Sequence, residues 1–137
     1  MSVKYSVVVR KNPSKITEPG KYYAHAQAYG EMDFDALCED VNGRCTVTKA
    51  DVSAVIESVL ETMKQALAKG QIVRLGSFGS FQIGLRSEGA KTEKEYTSSM
   101  ICGTKISFRP GKLLSNMQKI LTYSQVAKLP VKEPVVE

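Results

Sequence analysis

Ile72-Val-Arg-Leu-Gly-Ser-Phe-Gly-Ser-Phe-Gln-Ile83, answered downstream by Lys105-Ile-Ser-Phe-Arg-Pro-Gly-Lys112, is the stretch that decides the fold. Ile72 to Leu75 is a short apolar run that starts a strand. Gly76 and Gly79 bracket Ser77 and Phe78 and force a bend or bulge before a second strand. Phe81, Ile83 and Leu85 alternate with Gln82, Gly84 and Arg86, the period-two pattern of a half-buried strand. Ile106 and Phe108 alternate with Lys105, Ser107 and Arg109 in the same way, so this strand too has one apolar and one basic face. Pro110-Gly111 stops it, and Leu113, Leu114, Met117, Ile120 and Leu121 take up helical spacing. Roughly twenty mostly polar residues, none of them proline, separate the two strands. A hairpin symmetric about Gly84 and Lys105 turns near residues 94–95. If extended, its arm of about eleven residues at about 3.3 Å each reaches roughly 35 Å from the body.

Upstream, Phe34, Leu37, Cys38 and Val41 fall at helical spacing, and Asn42-Gly43 ends that helix as a left-handed cap. Thr48-Lys-Ala-Asp51 is a capping box with Asp in place of Glu. Val52, Val55, Ile56, Val59, Leu60, Met63 and Leu67 then continue for about five turns, and Gly70 closes the helix after Lys69. This apolar stripe is wide for a helix with one short partner in its own chain, which argues for an obligate dimer. Before these helices, Val3, Tyr5, Val7 and Val9 alternate with more polar residues over 3–10. Asn12-Pro13-Ser14 and Pro19-Gly20 break the chain, and Tyr22 to Tyr29 is a second β-like run. His25, the sole histidine, has no carboxylate or nucleophile beside it in sequence and reads as structural. After Tyr123 the chain has two prolines and little periodicity, the pattern of an extended or disordered tail.

Leu75-x-x-Phe78-Gly79-Ser80-Phe81, followed some thirty residues later by Phe108-Arg109-Pro110-Gly111-Lys112, resembles the HU/integration host factor family of bacterial histone-like DNA-binding proteins. The resemblance covers roughly residues 31–123. It implies an α+β, HU/IHF-like fold: two N-terminal helices, a three-stranded antiparallel sheet with a long β-arm, and a C-terminal helix. Extra N-terminal strands precede this core, and two copies form an intertwined homodimer whose sheets make a saddle. The division is then 1–30 as a β extension, 31–123 as the HU-like domain and 124–137 as a tail. The implied partner is double-stranded DNA, bound and bent with little sequence preference, as in a nucleoid-associated protein.

In the family the arms enter the minor groove, cations meet phosphates, and an apolar wedge at each tip kinks the duplex. Carried over, Arg86 matches an arm-base arginine, and Arg109 and Lys112 match the exit motif. Lys91, Lys94 and Lys105 fall on the arm, and Arg74 is placed to face the saddle. All seven are assigned electrostatic contact rather than base reading. The chain departs from the family at the tip, which lacks the arginine-rich, Arg-Asn-Pro-like sequence and carries Glu88, Glu93 and Glu95. Tyr96 or Met100 is left as the candidate wedge or as ribbon packing. The N-terminal extension either covers a sheet edge or adds a second basic surface through Lys4, Arg10, Lys11, Lys15 and Lys21.

Bulk properties agree with a polyanionic partner and exclude several classes. The 137 residues carry a net charge of +5 and a pI near 9.1. Residues 1–30 hold five Lys/Arg against one acid, residues 31–70 four against eight, and residues 71–112 seven against three. The positive charge therefore sits in the N-terminal piece and in the sheet and arm, with an acidic helical layer between them in sequence. Cys38, Cys45 and Cys102 have no metal-ligand spacing and read as reduced thiols. No signal peptide or bilayer-spanning segment is legible, so the expected location is the cytoplasm, in the nucleoid. No nucleophile elbow, phosphate-cradling loop or paired carboxylates appear, so neither catalysis, a cofactor nor a small-molecule substrate is expected. The competing reading is an HU-fold structural or interaction module that has lost DNA binding. RNA or single-stranded nucleic acid comes third, for want of stacking residues in the arm.

Overall fold

The structure, a computed structural model, describes residues 2–127, so the tail from Lys128 onward lies outside the described residues. The chain runs β1 (Val3–Arg10), β2 (Lys21–Ala26), α1 (Phe34–Arg44), α2 (Lys49–Ala68), β3 (Val73–Arg74), β4 (Gly79–Ser87), β5 (Ile101–Pro110), α3 (Lys112–Lys119) and β6 (Tyr123–Gln125). These elements form two compact units. One joins residues up to Met32 with those from Ile120, and the other is Asp33–Lys119.

In the first unit β1 lies between β2 and β6. β1 and β2 are antiparallel from Tyr5↔Ala26 to Arg10↔Lys21, whereas β6 joins β1 in parallel at Val3↔Tyr123. Tyr123–Gln125 thus forms a strand of the N-terminal sheet. Ser6, the one buried polar residue among those described, accepts a hydrogen bond from Gln27 Nε2 at 2.7 Å.

The second unit opens with α1, capped by Asp33, whose Oδ1 accepts from Ala36 N at 2.8 Å. The helix does not stop at Asn42-Gly43 as expected. Gly43 has no positive φ, and the helix continues to Arg44. An Arg44–Asp40 ion pair at 3.2 Å and the Asn42 amide bonded to the Val47 carbonyl occupy this last turn, so the glycine is not needed as a stop. Thr48 caps α2, accepting from Asp51 N at 3.2 Å while its hydroxyl donates to Asp51 Oδ2 at 2.7 Å. Gly70, at φ 79°, ends α2 as a Schellman turn, with Gln71 N donating to Ala66 O and Gly70 N to Leu67 O. Lys49 Nζ lies 2.8 Å from Asp35 Oδ1 and ties the start of α2 to α1. The hydrogen bond that Lys49 Nζ donates to the Asp35 carboxylate raises the Lys49 pKa. This tie is fully present below the ordinary lysine value and is lost only as pH rises through the raised one, so it is constant across neutral pH.

β3, β4 and β5 form an antiparallel sheet in that order. The β3–β4 corner is tight: Phe78 N donates to Leu75 O, Leu75 N to Gly79 O, and Gly111 N to Phe78 O. Gly79 has φ 144°, and a Cβ there would lie 2.5 Å from Arg109 O and 2.6 Å from the Phe108 ring. A Cβ at Gly111 would overlap the Ser77 carbonyl. These two glycines let the corner lie directly on the end of β5, beneath the packed rings of Phe78, Phe81 and Phe108. Gly79→Ala should therefore cost about 3 kcal/mol in urea unfolding. A loss below about 1 kcal/mol would mean that the corner yields without consequence.

The second unit does not close a core of its own. Among the described residues Cys38 and Val52 are the only buried apolar side chains. Leu60, Met63, Leu67, Phe81, Ile83 and Ile106 line an open apolar trough between α2 and the sheet. Val55, Val59, Val73 and Leu75 border a second one.

Candidate nucleic-acid interface

Directly paired residues of an antiparallel ladder project on the same side. The register therefore sorts the sheet into two faces. Phe81↔Phe108, Ile83↔Ile106 and Leu85↔Thr104 occupy one, with Val73 opposite Phe81. That apolar face looks toward α2, as the residues of the trough show. Arg74↔Ser80↔Arg109, Gln82↔Ser107, Gly84↔Lys105 and Arg86↔Gly103 make up the other. Arg74, Arg86, Lys105 and Arg109 thus share one face, separated only by neutral or side-chain-free positions. From Arg109 to Gly103 the strip runs six residues along β5, about 20 Å. It contains no carboxylate.

Gly103 was not legible as part of this face from composition. A Cβ placed there would be 3.5 Å from an Arg86 Nη and 3.7 Å from its Nε. The Arg86 guanidinium therefore lies over Gly103 on this face, at ordinary contact distance. The signal for it was the register itself, since Gly103 becomes the Arg86 partner once Gly84 is set against Lys105. A register shift follows between Arg86 and Ser87, so the strip ends where the ribbon twists.

The other three candidates stand elsewhere. Lys112 is the first residue of α3, a position where the helix dipole opposes a cation. Lys91 and Lys94 lie in the connection between β4 and β5, Lys94 between Glu93 and Glu95 in a 3₁₀ turn. All seven side chains are exposed. The four ion pairs among the described residues are Lys15–Glu18, Arg44–Asp40, Lys49–Asp35 and Lys64–Glu61, so none of the seven is ion-paired among the described residues.

The arm differs from its expected form. Gly84 does pair with Lys105, but the ladder continues only as far as Ser87↔Ile101, about 10 Å beyond that pair rather than 35 Å. Residues 88–100 form a compact cap with two 3₁₀ turns, Glu93–Glu95 and Ser98–Met100. Thr92 Oγ1 accepts from Glu95 N at 3.3 Å, and Glu88 N donates to Met100 O at 2.9 Å. Hydroxyl side chains bonding their own backbone compete with strand pairing, and here they win. The Tyr96 hydroxyl turns back to Ser87 Oγ, so Tyr96 packs along the ribbon.

The chain is similar to known proteins in sequence and in fold. A sequence profile described as HU-HIG, "HU domain fused to wHTH, Ig, or Glycine-rich motif", matches residues 1–125. The DNA-binding protein HU of Thermotoga maritima is 33% identical over 88 residues, which are 61% of this chain and 94% of that protein. Over 55 residues, 40% of this chain, the identity to an integration host factor alpha subunit of Phenylobacterium zucineum is 44%, and the match spans 53% of that subunit. A chain from Bacteroides vulgatus, proposed to be a bacterial DNA-binding protein, superposes with a TM-score of 0.66 at 15% identity. That superposition covers 96% of this chain and 51% of the Bacteroides one. The Anabaena HU–DNA cocrystal structure gives a TM-score of 0.51 at 26% identity, covering 65% of this chain and 99% of that one. This chain therefore spans about half the length of two of its relatives. With its profile match running through nearly every described residue, the chain belongs to the HU-HIG family of HU domains.

Proposed function

We propose that this chain is an architectural DNA-binding protein of the bacterial nucleoid, working in the cytoplasm as a homodimer that holds and bends double-stranded DNA with little sequence preference. The observation that carries the reading is the strip of Arg74, Arg86, Lys105 and Arg109, four exposed cations on one sheet face with no carboxylate on that face and no ion pair among the described residues. Repulsion along such a strip is relieved by phosphates, and the release of condensed counterions supplies most of the affinity. Lys91, Lys94 and Lys112 add flanking contacts. The names of the Thermotoga and Anabaena relatives, an HU DNA-binding protein and an HU–DNA complex, support the same ligand.

The dimer follows from what the monomer leaves open. Leu60 is 64% and Ile106 63% exposed on elements that should carry a core, and the troughs between α2 and the sheet stay open. A second copy laid into the two troughs would complete that core. With about six phosphate contacts, fluorescence anisotropy on duplex DNA should give a slope of log affinity against log salt near −5. A slope near zero would overturn the reading.

One observation favours a second function. The cap at 88–100 carries three glutamates against two lysines and is folded rather than extended. Carboxylates there repel phosphate, which suits an HU-scaffold interaction module. A stable dimer that ignores linear, bent and nicked duplexes at low salt would establish that alternative.

A further inference from the structure

We propose that the turn of the β1–β2 hairpin is a second phosphate-binding site, which engages nucleic-acid backbone independently of the basic strip. This goes beyond the proposed function and rests on it only for the choice of duplex DNA as ligand. The register makes Arg10↔Lys21 the last pair of the hairpin, two like charges directly opposite each other. Such a pair destabilises the sheet that contains it. Lys11 follows Arg10 at once, and the connection brings Lys15 back, so Arg10, Lys11, Asn12, Lys15, Lys21 and Tyr23 border one concavity.

The connection is built rather than loose. Ser14 N donates to Asn12 Oδ1 at 3.0 Å, Lys15 N to Asn12 O at 3.1 Å, and Glu18 N to Lys15 O at 3.2 Å. Gly20 brings the returning chain onto β1: a Cβ there would lie 2.6 Å from Val9 Cγ1 and 3.2 Å from both Arg10 O and Lys11 Cγ. The backbone therefore keeps the attachment points of these cations close together. One carboxylate, Glu18, is present, and Lys15 already engages it at 3.4 Å. Among the described residues Arg10, Lys11 and Lys21 have no ion-pair partner. The fold gains neither core nor ion pairs from these three charges and bears their repulsion, which an anion would remove.

Exposure selects the kind of anion. Arg10, Lys11, Lys15 and Lys21 are all exposed, so a single small anion would be held across screened solvent and bound weakly. A chain of phosphodiesters gains from every contact at once through counterion release. The Asn12 amide and the Tyr23 hydroxyl add neutral donors of the kind that position backbone phosphates.

The test is anisotropy of the full chain on duplex DNA of about 40 base pairs over a salt series, comparing wild type with R10A/K11A/K21A and with R74A/R109A. At about 0.9 per lost contact, the hairpin variant should have a log–log slope about 2 to 3 units closer to zero and an affinity about tenfold or more lower near 0.1 M salt. Its thermal midpoint, followed by circular dichroism, should not fall, because a repulsive pair has been removed. That combination of weaker binding without lost stability is what a merely structural role cannot give. An unchanged slope in R10A/K11A/K21A beside a reduced one in R74A/R109A would overturn this inference and leave the proposed function standing. The reverse result would uphold this site and reject the strip. Failure of the wild type to bind duplex overturns both, and binding of anionic phosphatidylserine vesicles without duplex assigns the hairpin to a membrane surface and overturns the inference as stated.

Discussion

A chain carrying R74A, R86A, K105A and R109A should bind duplex DNA about a hundredfold or more weaker near 0.1 M salt, with its salt slope about 3 to 4 units closer to zero. The size of the effect follows from the register. The four cations stand on one face with Ser80, Gln82, Ser107 and two glycines between them, so a phosphate held by one is not repelled by a neighbouring carboxylate. Removing them deletes contacts without opening a cavity, since none is buried and none has an ion-pair partner among the described residues. Stability should stay within about 0.5 kcal/mol of the wild type, the usual range for exposed substitutions. K91A/K94A, at a cap that also holds Glu88, Glu93 and Glu95, should cost less than the strip in the same assay. If the cap variant loses as much as the four-residue one, the arm and not the strip is the principal contact.

Leu60→Asp should abolish the dimer and with it most of the folded population at micromolar concentration. Leu60 lines the trough between α2 and the apolar sheet face with Ile83 and Ile106. If a second copy fills that trough, the substitution places an unpaired carboxylate where water has been excluded, at a cost of several kcal/mol. Leu60→Met, close in volume and apolar, should keep the dimer and lose less than about 1.5 kcal/mol. Sedimentation velocity with far-ultraviolet circular dichroism measures both. A wild-type chain that sediments as a monomer, or an L60D chain that remains a stable dimer, would reject the interlocked arrangement.

The readable parts of the sequence were those in which one local rule had no competitor. Thr48 with Asp51, and Gly70 after Lys69, set the limits of α2, because a capping hydroxyl and a left-handed glycine satisfy groups that nothing else can reach. Period-two alternation with the Gly84↔Lys105 pairing was enough to bring Arg74, Arg86, Lys105 and Arg109 to one face. The misreadings came where two local rules competed. Asn42-Gly43 has the composition of a helix stop, but the Asp40–Arg44 pair and the Asn42–Val47 bond carry α1 past it. The arm reads as extended in sequence because it is polar and lacks proline, yet Thr92 caps a tight turn with its own hydroxyl where a ladder with one partner would otherwise run. The position of β6 was legible in no window of the sequence. Three residues pair with a strand more than a hundred positions away, and only the closed chain reveals it.

That last pairing has a consequence for biosynthesis. When the ribosome has released Val3–Ala26, the nascent segment can zip its hairpin at once, but the edge of β1 at Val3–Tyr5 stays unpaired until Tyr123–Gln125 emerge. During that interval the three helices and the arm-bearing sheet emerge, so the contacts inside their own unit become available before β6 does. The first strand synthesised is thus the last to be sealed, and a stalled or truncated product would carry an open β edge, the kind that recruits other strands.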